Sequence, residues 1–141
     1  MWVGMMRVLT VMVYIGGLVS VDVTFAYVLV MELSRDTQIR VGKLGSIDFK
    51  KGLYNYVGSA PSEKRLERHL RKEKKTHWHI DYFLEEARIR KTYITRERTE
   101  CEVARDIDLP YIKGFGCSDC DCPSHLFYGI LVRTPDLEEY Y

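Results

Sequence analysis

Three of the four cysteines stand with a histidine in one short run, Cys117, Cys120, Cys122 and His125, spaced C-x2-C-x-C-x2-H. Thiolates and an imidazole at such spacing are zinc donors. The same run also reads as free thiols in a tight loop or as a disulfide, and cytosolic thiols stay reduced. Asp119 and Asp121 make the loop anionic and a poor phosphate contact. A second constellation is His77-Trp78-His79. On a strand or loop the two histidines point the same way and line a phosphate track, while Trp78 stacks on an unpaired base for about 1–3 kcal/mol. The plain alternative is Trp78 as a core anchor with two flanking histidines. Third, Arg65 and His69 are four apart after Pro61, so on a helix they share one stripe. Arg68, Arg71, Lys72 and Lys75 complete a basic face, which is either solvated or a surface for nucleic-acid phosphates.

The elements that must position these residues belong to one domain, because 141 residues with 46% apolar content suit a single core. The charge is balanced overall, 21 Lys+Arg against 20 Asp+Glu. That excludes a polybasic tail and a disordered polyelectrolyte. The balance hides a gradient from an apolar N-terminus through a basic middle to an acidic end, and a basic middle suits an anionic partner.

Phe25–Leu33, FAYVLVMEL, is a β-branched and aromatic run suited to a central buried strand. Residues 34–53 carry Gly42, Gly45 and Gly52 and predict a short hairpin over Gln38–Leu44. Tyr54–Ala60 reads as a strand that breaks at Gly58. Ser62–Lys75 is an expected helix, capped by Ser62, with Leu66 and Leu70 inward. His79–Ala87 is an expected short helix, Arg88–Thr95 a strand, Thr99–Ile107 a helix ended by Pro110, and Leu126–Val132 a late strand. The order predicts an α+β fold: a small, mostly antiparallel sheet with flanking helices.

The run Val8–Val19 is apolar but short of the ~20 residues a membrane helix needs. Ser20, Val21 and Asp22 do not form a good signal cleavage site. Residues 1–24 are therefore an apolar extension from a misassigned start, an added strand or helix, or a membrane segment. Residues 25–133 form the domain, and 134–141 an acidic tail. The expected location is the cytoplasm.

Phe25-Ala26-Tyr27 and Tyr56-Val57-Gly58 resemble the two tripeptides of the GIY-YIG endonuclease superfamily, and YVGSAPSEKRLERHL, Tyr56 to Leu70, is similar to its passage from second motif into catalytic helix. HWHIDYFL, the Glu-Cys-Glu at 100–102 and GFGCSDCDCPSHLFY resemble its Uri-type branch. The resemblance implies a metal-dependent endonuclease acting on DNA rather than RNA. It implies Tyr27 as general base or water-positioning group, Tyr56 beside it, Arg65 as the cation on the phosphate and His69 as its helper. A phenol has an ordinary pKa of ~10, so Tyr27 needs cations to act near neutrality. Arginine's planar fork suits two phosphate oxygens. Glu102 matches the glutamate that holds one Mg²⁺ or Mn²⁺.

The chain departs from the superfamily in one respect. An asparagine usually follows the metal glutamate, whereas the only asparagine here is Asn55, and Ser118 or Asp119 is the available substitute. The alternative is thus a weak or inactive nucleic-acid-binding module of the same fold, and a third class is a zinc-dependent interaction protein. The longer spacing between Tyr27 and Tyr56 sets the 34–53 insertion beside the active site. Specificity then comes from that insertion, from homo-oligomerisation or from a partner.

Overall fold

The computed structural model describes residues 10–15, 18–71, 78–117 and 121–141, with side chains from residue 24 onward. Lys72, Lys75, His77, Ser118, Asp119 and Cys120 lie outside the described residues, so the roles expected of them are neither placed nor displaced.

Strand β3 (Phe25–Leu33) is the centre of a five-stranded antiparallel sheet, as its apolar run demands. It pairs on one side with β6 (Gly52–Ala60) and on the other with β7 (Arg88–Thr95). Short β8 (Leu126–Tyr128) and β9 (Glu138–Glu139) close the two edges. Alternation along β3 sends Tyr27, Leu29, Met31 and Leu33 to one face, where they meet Leu66 of α1 (Lys64–Leu70), Ile80 and Phe83 of α2 (His79–Leu84), and Phe115. Ala26 and Val28 go to the other face, against Val103 and Ala104 of α3 (Glu100–Asp106), Phe127 and Leu137. The sheet is therefore covered on both faces. Each fully buried side chain such as Leu66 or Phe83 contributes about 1.5–3 kcal/mol. The α+β expectation of an antiparallel sheet with flanking helices matches this architecture.

Several elements differ from their sequence reading. The first helix begins at Lys64 with Glu63 as an unbonded cap, not at Ser62, and its C-cap Arg71 is already extended. Beyond Leu70 the sequence RKEKKT offers no apolar face to bury. The acidic tail is no tail: Leu137 is buried, Glu138–Glu139 pair with β7, and Asp136 accepts hydrogen bonds from Arg98 and Thr95.

The hairpin is wider than expected, β4 (Thr37–Arg40) pairing with β5 (Ser46–Phe49) around a 3-10 turn at Gly42–Leu44. It leaves the central pair at the Leu33–Gly52 end, roughly 20 Å along the strands from Tyr27 and Gly58. There it packs on Tyr82, Phe83 and Tyr54. The insertion therefore sits at the far end of the strand pair instead of beside the tyrosines.

In the N-terminal run, β1 (Thr10–Ile15) and β2 (Leu18–Val23) pair antiparallel as a separate two-stranded sheet. Among the described residues no helix is long and apolar enough to cross a membrane.

Candidate active site

The two tripeptides lie side by side because β3 and β6 run antiparallel with Tyr27 opposite Gly58 and Leu29 opposite Tyr56. Their side chains emerge on the α1 face, with the two phenol rings 6.4 Å apart. Tyr27 also meets His69 of α1: the hydroxyl and Nε2 are hydrogen-bonded at 2.8 Å in a buried contact. The rings of Tyr27, Tyr56 and His69 are thus one cluster, enclosed to the extent that Tyr27 is 2% exposed and Tyr56 9%. Burial foremost, and then the neighbouring Tyr56, push the Tyr27 phenol well above its ordinary range, while Arg65 pulls it back. Tyr56 is pushed up by burial and then by Glu100, again against Arg65.

Arg65 reaches the end of β6 from the first turn of α1, where its Nη1 donates to the Ser59 carbonyl at 2.6 Å. The Ser59 hydroxyl donates in turn to Oε1 of Glu100 at 3.0 Å. Ser59 therefore joins the helix arginine on one side of the sheet to a carboxylate at the start of α3 on the other. Glu100 is half-exposed, and its Oε2 stands 3.4 Å from His125 Nδ1.

Glu102 points elsewhere. Its carboxylate accepts the Thr99 backbone N–H at 2.8 Å, and its own N–H donates to the Thr99 hydroxyl at 3.2 Å. That reciprocal pair is a capping box, and the Thr99 backbone and hydroxyl hold the carboxylate below its usual range. In the Glu-Cys-Glu triplet it is Glu100 that is bonded to Ser59, the residue after the second tripeptide. The Thr99-x-x-Glu102 spacing, readable in the sequence, was the signal for the distinction.

Of the basic face, Arg68 is committed to structure. Arg68 makes a bidentate pair with buried Asp81, both bonds 2.9 Å, and lies 4.5 Å from the Trp78 ring centre. Arg65 lies 5.0 Å from the same ring and His69 5.8 Å. Trp78 is half-buried against the main core. Arg71 is exposed at the end of α1. His79 accepts the Gly116 N–H on Nδ1 at 2.9 Å, and burial lowers its pKa. Asn55 is fully buried in β6, donating to the Gly129 carbonyl, so it has no part in the cluster.

The cysteine run is rearranged too. Cys101 of α3, Cys122 and His125 bring one ligand atom each to within 4.8 Å of one another, so these three could hold a metal ion. Cys117, expected in the set, instead donates its thiol to the Phe115 carbonyl at 3.4 Å. Sequence spacing missed Cys101 because its partners come from another segment.

No curated protein and no solved structure matches the chain. The model of one family, the domain of unknown function DUF123, matches residues 26–138, which takes in nearly all of the central sheet, the three described α-helices and every residue of the cluster. The chain belongs to the DUF123 family.

Proposed function

We propose that this chain is a cytoplasmic, metal-dependent endonuclease of the GIY-YIG type that hydrolyses phosphodiester bonds in nucleic acid, with DNA as its substrate. The observation that carries the reading is the 2.8 Å bond between Tyr27 and His69, with Tyr56, Arg65 and Ser59-bound Glu100 gathered around it. With His69 Nε2 as acceptor, the neutral phenol donates to it and leaves its oxygen lone pairs toward a water. As that water bonds to phosphorus and the bond to the 3′-oxygen breaks, its proton passes to the Tyr27 oxygen and the phenol proton to His69. Arg65 spends one donor on Ser59 and offers the others to the phosphoryl oxygens.

Glu100 suits Mg²⁺ or Mn²⁺: it is a hard oxygen donor, partly open to solvent and held by Ser59 at the end of the strand that carries Tyr56. Such an ion supplies positive charge that offsets the phosphoryl oxygens and eases departure of the 3′-oxygen. Arg71 remains a surface contact for the nucleic-acid backbone.

The test is a panel of nicked, flapped, branched and linear substrates with each divalent ion. We expect metal-dependent cleavage that Tyr27→Phe and Arg65→Ala each lower by about 10²-fold or more. Salt-sensitive binding without turnover on any substrate would favour the inactive-module reading, and cleavage that survives both substitutions would remove the site assignment.

A further inference from the structure

We propose that Cys101, Cys122 and His125 bind a zinc-class ion that ties the first turn of α3 to the segment leading into β8. The three residues come from two distant stretches of chain, yet their ligand atoms lie within 4.8 Å of one another. A tetrahedral zinc site holds such atoms about 3.4–3.8 Å apart, so closing on an ion needs a movement of about 1 Å. Cys122 and His125 are buried and Cys101 is half-buried, which keeps bulk water from competing.

His125 is already oriented for this. Its Nδ1 donates to the Val57 carbonyl at 3.0 Å, and its backbone N–H donates to the Phe115 carbonyl at 2.9 Å. A backbone carbonyl on one ring nitrogen is the outer hydrogen bond that metal-binding histidines use, and it fixes the orientation of the ring. Two thiolates and an imidazole select a borderline-soft ion and reject Mg²⁺, which separates this site chemically from the carboxylate of Glu100. The inference stands independently of the nuclease reading, because it concerns ligation alone.

Elemental analysis of the full chain, purified with reductant from zinc-supplemented cells, is expected to find about one zinc per chain. Cobalt substitution is expected to give thiolate-to-cobalt charge-transfer absorption. Cys101→Ser and Cys122→Ser should each remove the ion, whereas Cys117→Ser should retain it. Should a serine variant fail to fold, the wild-type chain still decides the matter: Cys101 and Cys122 should resist alkylation until a chelator strips the ion. Zinc absent from the purified chain, zinc retained by Cys101→Ser, equal alkylation with and without chelator, or a Cys101–Cys122 disulfide would each overturn the proposal.

Discussion

Gly58 lies directly across the strand pair from Tyr27, and the Tyr27 ring occupies the volume a side chain at 58 would fill. A Cβ there would stand 2.5 Å from Cζ and 2.9 Å from Cε1 of Tyr27. The glycine of the second tripeptide is thus a steric requirement of the tyrosine in the first. Gly58→Ala should destabilise the chain by about 1–3 kcal/mol, the usual cost of overpacking a filled core, and lower cleavage with it. In a Tyr27→Ala background the same change should cost little, since its obstacle is gone. Chemical denaturation of the two single variants and the double variant measures this coupling; additive effects would mean the two positions do not share the space.

Because Tyr27 and His69 share one buried hydrogen bond, they should fail as a unit. Tyr27→Phe keeps the ring and its packing but removes the hydroxyl, and should lower cleavage by about 10²–10⁴-fold. His69→Gln should cost a similar factor, and the double variant little more than either alone. Single-turnover rates on the best substrate of the panel check this; losses that multiply would show that the residues act separately.

The carboxylates of the Glu-Cys-Glu triplet should separate cleanly. Glu100→Gln removes the acidic group tied to Ser59 and should abolish Mn²⁺-dependent cleavage while the fold persists. Glu102→Gln touches only the Thr99 capping box and should leave cleavage near wild type with a slightly lower melting temperature. Parallel rate and melting measurements decide it, and the reverse pattern would return the metal role to Glu102.

These contrasts mark what a sequence can carry. The bounds Phe25–Leu33 and Arg88–Thr95 were legible because β-branched and aromatic runs between turn residues have one economical use. The convergence of tyrosines, arginine and histidine was legible through motif order. The capping role of Glu102 was also written in the sequence, in the threonine three residues before it, but a capping box and a metal glutamate look alike without the partner strand. The Cys101–Cys122–His125 group and the Arg68–Asp81 pair were not legible, because each depends on which distant segment arrives beside it.

The Arg68–Asp81 pair carries its own prediction. Asp81 is buried, with Arg68 on both carboxylate oxygens and the Trp78 backbone N–H on one of them. Removing one member of a buried pair leaves the other charge poorly compensated, at about 3–5 kcal/mol. Arg68→Ala should therefore act chiefly on stability, seen as a fall in the denaturation midpoint. The salt dependence of nucleic-acid binding should change little, whereas a phosphate-contacting arginine would reduce that slope by about one.

Three buried phenols set the alkaline limit of the fold. Tyr27 is held up by burial and then by Tyr56, Tyr56 by burial and then by Glu100, and Tyr54 is pushed up to about 12 by burial and then by Tyr128. A group whose pKa is raised in the folded state keeps its proton there after the unfolded chain has begun to release it. The contribution to stability is complete below the unfolded value of about 10 and is lost as pH rises through the folded values. The melting temperature should therefore be unaffected by these groups at neutral pH and fall steeply above about pH 10. Of the 10 tyrosines, the exposed ones should ionise first, with the last phenolate absorbance appearing together with the loss of tertiary circular dichroism. Tyr27→Phe should moderate the alkaline fall, because a phenylalanine has no proton for the unfolded chain to lose. Ionisation of every tyrosine near its ordinary value in a chain that stays folded would contradict the enclosure of this cluster.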